Sequence, residues 1–280
     1  MALTTTRTST RPVLVLGGTG TTGRRVARRL AAAGCPVRVG SRRADPPFSW
    51  EDPSGWERVL DGARAAYVCF APDLAVPGAP EVVASLARAA RAASVERLVL
   101  LSGRGEEEAE RAEREVRAVD PATTVVRSSF FLQNLDEGLL APEVAAGLLR
   151  LPPGGVREPF VDVEDVADVA AAALLDDRHA GEAYEVTGPE LLSFADLAAG
   201  LSAALGREVR YERVDPGAWA AALAAQGLPP EVVDLLRYLF TEVLDGRGER
   251  LGDGVQRALG RPPRPFAEYA RRAAAGGAWG

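Results

Sequence analysis

The stretch from Val13 to Leu30 reads VLVLGGTGTTGRRVARRL, and it decides the fold. An apolar run leads straight into a glycine-rich turn, and the turn opens a segment with the spacing of an amphipathic helix. Gly17, Gly20 and Gly23 lie three residues apart. Glycines at this spacing serve a tight turn, the close approach of backbone to a pyrophosphate and the close packing of the helix on the strand. The stretch therefore predicts a strand, a phosphate-binding turn and a helix.

The turn is the first candidate for ligand binding. The free N–H groups at the start of a helix, together with the positive end of its dipole, favour an anion. We therefore predict that the cofactor contacts Gly17, Thr19, Gly20, Thr21, Thr22 and Gly23.

The next predicted strand indicates which dinucleotide this is. It covers residues 36–40 and ends in Ser41-Arg42-Arg43, with no acid at the strand end. A site for NAD(H) has an Asp or Glu there for the ribose 2′-hydroxyl, whereas a site for NADP(H) has arginine for the 2′-phosphate. A planar guanidinium suits phosphate. We predict NADP(H), with Arg42 as the main contact and Ser41 assisting; Arg43 either joins them or is a solvated loop charge.

Composition narrows the functional class. The chain has 280 residues, 47% of them hydrophobic, which allows one large domain or one domain with a small lobe. A net charge of −6 argues against a general nucleic-acid binder. Two cysteines, Cys35 and Cys69, are too few for a disulfide framework or a metal cage, so no metal site is predicted.

Location follows from what the chain lacks. No apolar run reaches membrane-spanning length, so no membrane partner is expected. Residues 1–11 are rich in Thr and Arg but have no apolar core, so we expect a flexible tail rather than a signal peptide. The predicted location is the cytoplasm. His179 lies in a polar turn and is expected to be solvated.

Every basic residue is arginine, since the chain contains no lysine. This excludes a Schiff-base enzyme, a Walker-type phosphate loop and the Tyr-x-x-x-Lys pair of ordinary short-chain dehydrogenases. In that pair the lysine lowers the pKa of the tyrosine so that it can pass a proton. Any proton chemistry must use another group.

Strand and helix patterns alternate along the first half of the chain. Apolar strands are predicted over residues 65–70, 96–102 and 123–127, and helices over 81–93 and 105–119. This alternation predicts an α/β fold built on a doubly wound parallel sheet. We assign residues 12–130 to the cofactor domain, with later segments returning to it, and 131–280 mainly to a smaller, mostly helical substrate lobe. Arg104 and the glutamates after it are expected to form a solvated face.

Several motifs together resemble the NmrA-like atypical short-chain dehydrogenases. The likeness is to a subgroup that contains the ergot-alkaloid cyclising reductases and bacterial NAD(P)H-binding relatives. The motifs extend over nearly the whole chain: Gly17–Gly23, Phe48-Ser49-Trp50-Glu51-Asp52-Pro53 with Trp56, Tyr67 before Ala71-Pro72, Leu100–Gly105, Phe130–Asn134, Arg157–Asp168 and Leu259–Pro263. One position departs from the family, which usually has Arg-Pro where this chain has Arg127 followed by Ser128-Ser129.

The resemblance implies a Rossmann-type fold with NADP(H) in an extended groove. It implies that Ala71, Pro72 and Ser102 border the cofactor and that Phe130 approaches the nicotinamide. It also implies that Phe131, Gln133 and Asn134 lie there, with the substrate between the carboxyl edge of the sheet and the smaller lobe.

Four residues are the candidates for catalysis, and each has a structural alternative. Ser102 offers a hydroxyl to substrate or ribose, or forms only a strand-end hydrogen bond. Phe131 lies beside the nicotinamide or packs in the core. Gln133 and Asn134 orient a substrate carbonyl or cap the following helix. Aromatic side chains with few titratable groups indicate a largely apolar pocket.

Three functions fit these residues. The first is an NADPH-dependent reductase of a small conjugated carbonyl, quinone or iminium compound in specialised, natural-product metabolism. The second is an NADP(H)-sensing regulator without catalysis, and the third is a redox-neutral cyclase or isomerase on the same fold. The expected partner is an apolar or aromatic small molecule, and the chain is expected to be a monomer or a homodimer.

Overall fold

A computed structural model describes residues 10–280. Residues 1–9 of the predicted tail lie outside the described part. Arg11 is anchored, because its Nη1 lies 2.6 Å from a Glu96 carboxylate oxygen and its Nη2 donates to the Ala63 carbonyl at 2.8 Å.

Eight strands and eleven α-helices form within residues 10–280. The strands are β1 (Val13–Leu16), β2 (Val37–Gly40), β3 (Ala65–Val68), β4 (Arg97–Gly103), β5 (Thr124–Ser128), β6 (Leu148–Leu151), β7 (Ala183–Val186) and β8 (Arg210–Arg213). The helices are α1 (Gly23–Ala32), α2 (Trp56–Leu60), α3 (Ala79–Ala92), α4 (Glu107–Val119), α5 (Ala141–Ala145), α6 (Val163–Leu175), α7 (Phe194–Leu205), α8 (Pro216–Ala225), α9 (Pro230–Tyr238), α10 (Gly254–Leu259) and α11 (Phe266–Ala275).

Six strands form one sheet in the order β2-β1-β3-β4-β5-β7. The pairs β1–β2, β1–β3 and β3–β4 are parallel. All four residues of β1 are fully buried, as expected of a parallel strand that is covered on both faces. The predicted α/β fold with a parallel central sheet is confirmed. A separate two-stranded sheet pairs β6 with β8 in parallel.

The chain divides into two compact units. Among the described residues, unit 1 comprises residues 10–102, 108–126 and 167–183, and unit 2 comprises residues 103–107, 127–166 and 184–280. Each has its own apolar core: the core of unit 1 includes Leu14, Leu16, Trp56, Leu86 and Leu100, and that of unit 2 includes Leu132, Leu149, Phe194, Leu201 and Tyr269. The predicted boundary after residue 130 stays a prediction.

Two expectations about exposure are wrong. His179 is 1% exposed rather than solvated, because the turn Asp177–His179 is held within unit 1 by a hydrogen bond from the Thr124 hydroxyl to the His179 carbonyl at 2.6 Å. Arg104 and Glu106 are both 7% exposed, so the charged face begins only after them. Among the described residues, no helix is both long and apolar enough to cross a membrane.

Candidate functional site

The order of the sheet sets the position of the candidate site in unit 1. The order reverses between β1 and β3, and open parallel sheets bind ligands outside the carboxyl ends of the strands at such a point. Gly17 follows β1 and Cys69 follows β3. A Cβ placed on Gly17 would lie 3.3 Å from the Cβ of Cys69, so the two strand ends meet there.

The three glycines of the turn meet different constraints. Gly17 has a φ of +71°, a conformation that favours glycine. A Cβ on Gly23 would lie 2.2 Å from the Gly17 carbonyl oxygen, so helix α1 can begin against the turn only with glycine at its first position. Gly20 is exposed, and a Cβ there would meet only the Gly17 carbonyl oxygen, at 3.3 Å. The open position is therefore the one assigned to the pyrophosphate.

The remaining turn residues divide by exposure. Thr19 is exposed and Thr21 half-buried, whereas Thr22 is buried and its hydroxyl lies 3.7 Å from the Cys69 sulfur. Burial raises the pKa of the Cys69 thiol, which keeps it protonated at neutral pH and unsuited to act as a nucleophile. The turn thus offers backbone amides and glycine surface to a ligand, which fits a pyrophosphate.

A cavity of about 270 Å³ opens beyond the end of β2. Its lining combines charged and hydroxyl side chains with one aromatic ring, and comprises Arg42, Pro46, Pro47, Phe48, Ser49, Asp52, Ser54, Gly55 and Arg58. Arg42 lies on this wall; Ser41 and Arg43, predicted with it, do not. The Ser41 carbonyl instead closes the loop by accepting from Phe48 N at 2.9 Å. Sequence reasoning did not identify Arg58, whose only sequence signal is its position two residues after Trp56.

Ala71, Pro72 and Ser102 follow or end neighbouring strands of unit 1. Ala71 and Pro72 are exposed beyond β3, at the edge where the glycine turn lies. Ser102 is 3% exposed on β4, and its hydroxyl donates to the Glu113 carboxylate at 2.6 Å. The Ser102 hydroxyl is therefore engaged by a neighbouring side chain of unit 1.

The segment after β5 belongs to unit 2. Leu132 and Leu135 lie on one side of a 3₁₀ turn, where residues three apart are aligned, and both are buried. The segment is held by backbone hydrogen bonds from Leu132 N to the Val161 carbonyl and from Val161 N to the Phe130 carbonyl, both at 2.9 Å. These two hydrogen bonds fix the backbone positions of Phe130 and Phe131.

The two neighbouring amides have different surroundings. Gln133 is 3% exposed; its Nε2 donates to Asp162 at 2.9 Å, and its Oε1 accepts from Val163 N at 2.8 Å. It therefore joins the turn to the start of α6. Asn134 is half-buried, and its side-chain amide hydrogen-bonds to no residue within 10–280.

Asn134 contributes the one side-chain amide to a small aromatic cavity in the described part of unit 2. The other lining residues are Phe130, Phe131, Leu135, Leu140, Phe160, Phe194, Leu197 and Phe240. The ring of Phe240 lies edge-on to that of Phe130, with centroids 5.8 Å apart. The cavity holds about 10 Å³, roughly one water molecule, so it is a cleft in an aromatic wall and not a chamber for a whole substrate.

Sequence reasoning also missed a buried ionic group in unit 2. Arg104 Nη1 lies 3.9 Å from Glu158, while its Nε lies 3.4 Å from Glu185. The Arg104 guanidinium also donates to the carbonyls of Gly248 and Arg250, both at 2.8 Å. Burial raises the pKa of Glu158 to about 7, since Ser129 and the distant guanidinium only partly compensate. These residues are far apart in sequence, so spacing gave no signal.

Comparison with known proteins gives consistent results. A model of the NmrA-like family matches residues 106–245. A (4-alkanoyl-5-oxo-2,5-dihydrofuran-3-yl)methyl phosphate reductase of Streptomyces griseus is 35% identical, over 92% of this chain and 96% of its own. Festuclavine dehydrogenase of Aspergillus fumigatus is 29% identical, over 93% and 97%. The NADP(H) complex of a Citrobacter triphenylmethane reductase has a TM-score of 0.76 at 18% identity, covering 94% of this chain and 99% of its own.

Proposed function

Because the chain belongs to the NmrA-like family, we propose that it is an NADP(H)-dependent reductase of a small conjugated carbonyl, quinone or iminium compound. The relatives named as a (4-alkanoyl-5-oxo-2,5-dihydrofuran-3-yl)methyl phosphate reductase and as a festuclavine dehydrogenase support the reductase class and a role in natural-product metabolism.

One observation carries the cofactor assignment: the glycine turn and the arginine cavity begin on neighbouring strands of unit 1. Leu16 at the end of β1 pairs with Gly40 at the end of β2. The turn starts one residue beyond Leu16, and Arg42 lies two residues beyond Gly40. A dinucleotide with its pyrophosphate on Gly20 therefore reaches Arg42 with the 2′-phosphate of its adenosine half.

When bound, the cofactor supplies a hydride to the substrate. The residues of this chain bind, orient and exclude water. Asn134 presents an unpaired amide to a polar atom of the substrate, and Phe131 provides an apolar surface beside it. Ser102, whose hydroxyl donates to Glu113, is proposed to contact the substrate or the ribose. Gln133 is proposed as a positioning residue. Hydride addition to an enone or a quinone leaves an oxyanion that takes one proton from solvent, whereas addition to an iminium gives a neutral amine and takes none.

The experiment is a turnover assay with purified protein. NADPH absorbance is followed with a conjugated enone, a naphthoquinone and a cyclic iminium salt, and products are identified by mass spectrometry. We expect NADPH consumption with at least one of these. Gly20→Val serves as the control, since a side chain at the open position of the turn blocks the cofactor.

Two results contradict the proposal. NADPH binding with no turnover of any compound supports a sensing regulator, and product formation without NADPH consumption supports a redox-neutral enzyme.

A further inference from the structure

We propose that Arg58 binds the 2′-phosphate of NADP(H) together with Arg42, so that two guanidiniums from separate elements set the cofactor preference. The inference rests on the proposed function and adds a residue that determines its specificity. Both side chains line the 270 Å³ cavity of unit 1, Arg42 from the loop after β2 and Arg58 from α2.

The position of Arg58 is fixed by the packing of its helix. In α2, Trp56, Val59 and Leu60 are buried, so the intervening Arg58 points away from the core. Arg38 on β2 donates to the carbonyls of Val59 and Asp61, at 2.7 and 2.6 Å. These bonds tie the end of α2 to the strand that leads to Arg42. The two arginines therefore belong to elements that are held together.

The lining residue Phe48 is held in place by Trp56 of α2. Phe48 and Trp56 are each 4% exposed, and their rings stack at a centroid distance of 6.2 Å and an angle of 23°. The Trp56 indole N–H donates to the Ser49 carbonyl at 2.8 Å, and Phe48 N donates to the Ser41 carbonyl. Because the loop and the helix are cross-linked by these contacts, the cavity is formed before a ligand arrives.

The charges in the cavity favour a phosphate. Within residues 10–280, neither Arg42 nor Arg58 forms an ion pair or a side-chain hydrogen bond. The one carboxylate, Asp52, uses Oδ1 to accept from Ser54 N at 3.0 Å and from the Ser54 hydroxyl at 2.6 Å. Asp52 is thus engaged by Ser54, which leaves two guanidiniums and one carboxylate, a net positive wall.

A terminal phosphate has three exposed oxygens, and one guanidinium binds two of them. A second guanidinium can bind the third oxygen and neutralise the second negative charge of the phosphate. NAD(H) offers no anion there, so both arginines would face the cavity without a counter-charge. Arg58 therefore strengthens the binding of NADP(H) while contributing little to that of NAD(H).

The test measures binding directly. Dissociation constants for NADPH, NADH, 2′-AMP and 5′-AMP are determined by calorimetry for the wild type and for Arg58→Gln, Arg42→Gln and Arg88→Gln. Arg88 is the matched control, because it is an exposed helical arginine of unit 1 that does not line the cavity. We expect Arg58→Gln to weaken NADPH and 2′-AMP about tenfold, the size of one charge-assisted contact, and to leave NADH and 5′-AMP unchanged. Arg58→Lys should restore part of the loss.

The outcomes separate the two proposals. If Arg42→Gln loses NADPH affinity while Arg58→Gln and Arg88→Gln both bind like the wild type, the role of Arg58 is overturned and the reductase proposal stands. If the wild type binds NADH and NADPH equally, both the cofactor assignment and the role of Arg58 are overturned. Since Arg58 is exposed, thermal unfolding should show all variants folded.

Discussion

At the scale of single residues, side chains of the same type have different roles according to what surrounds them. Gly20 and Gly23 belong to one motif, yet a methyl group on Gly23 would lie 2.2 Å from the Gly17 carbonyl oxygen, whereas one on Gly20 would lie 3.3 Å from it. Gln133 and Asn134 are adjacent amides, yet only Gln133 is used by the protein itself. Each pair therefore provides its own matched experiment.

The two glycines are predicted to respond oppositely. Gly20→Val should leave the melting temperature nearly unchanged but weaken NADPH binding by at least about a hundredfold, because the side chain occupies the approach of the pyrophosphate. Gly23→Ala should lower the free energy of unfolding by about 3 kcal/mol, since helix α1 must shift from the Gly17 carbonyl. Urea unfolding and NADPH titration measure both. Normal NADPH binding by Gly20→Val would show that the turn is not the phosphate site.

We predict that Gln133 contributes mainly to folding stability and Asn134 mainly to substrate binding. Gln133→Ala removes partners from the buried Asp162 and from Val163 N, and should cost about 2–3 kcal/mol of folding stability. Asn134→Ala should leave stability within about 0.5 kcal/mol but raise KM roughly fivefold to tenfold, through the loss of one neutral hydrogen bond. Steady-state kinetics at saturating NADPH check this. An unchanged KM for Asn134→Ala, with a lower melting temperature, would support packing alone.

At the scale of elements, the π-helical turn Leu239–Val243 connects the aromatic cavity to the buried arginine. Phe240 on this turn forms part of the cavity wall. The chain then continues to Gly248 and Arg250, whose carbonyls are held by Arg104. Glu158 and Glu185 both lie near the Arg104 guanidinium within unit 2, but the pKa of Glu158 is raised and that of Glu185 is lowered.

The stability of this arrangement is predicted to depend on pH through Glu158. Its pKa rises to about 7 in the folded protein, so the folded state binds the proton more tightly than the unfolded chain does. The contribution of Glu158 is fully present below the ordinary carboxyl pKa and is lost as pH rises toward 7. Glu158→Gln should remove this loss. Relative to the wild type, the free energy of unfolding of the variant should therefore be higher at pH 8 than at pH 4.5, by up to about 3 kcal/mol. Urea unfolding across this range measures it.

Glu185 is the control of opposite sign. Burial opposes its charge, yet the bonds from Arg250 and the nearby Arg104 and Arg127 hold the pKa of Glu185 below its ordinary value. Its contribution is present above the ordinary pKa and is lost as pH falls, so Glu185→Gln should destabilise the protein at neutral pH. If Glu158→Gln showed the same pH slope as the wild type, the titration would belong to another group.

At the scale of the whole molecule, neither unit consists of one continuous piece of chain. Residues of β5, α6 and β7 are divided between the two units. We expect such a chain to unfold in one cooperative transition, because each unit is assembled from several separate segments of the chain.

Cofactor binding is therefore predicted to stabilise the whole protein. At a hundredfold excess over Kd, NADPH should add about 2.7 kcal/mol and raise the melting temperature by roughly 5–10 °C. Calorimetry should show a single transition that NADPH shifts more than the same concentration of NADH does. Two transitions of which only one moves would contradict cooperative unfolding, and equal shifts would contradict the preference for NADP(H).

The sequence by itself determined the central strands, the glycine turn and the parallel α/β fold. These features depend on local patterns: β1 is four apolar residues in a row, and the glycines are spaced by the turn that they form. The family could also be read from the chain, since its motifs are short contiguous stretches. The contacts assigned to Arg42 and Asn134 stay predictions, but both residues were identified from such stretches.

Only the tertiary structure decided which charges are buried and which polar groups are used. Arg104 begins a charged stretch, and its burial depends on Glu158, Glu185 and a loop more than 140 residues away. Arg58 shares a cavity with Arg42 because Arg38 ties their elements together. Burial, pKa shifts and shared cavities depend on neighbours distant in sequence, whereas turns and strands depend on neighbours along the chain; the first kind of information exists only once the chain has folded.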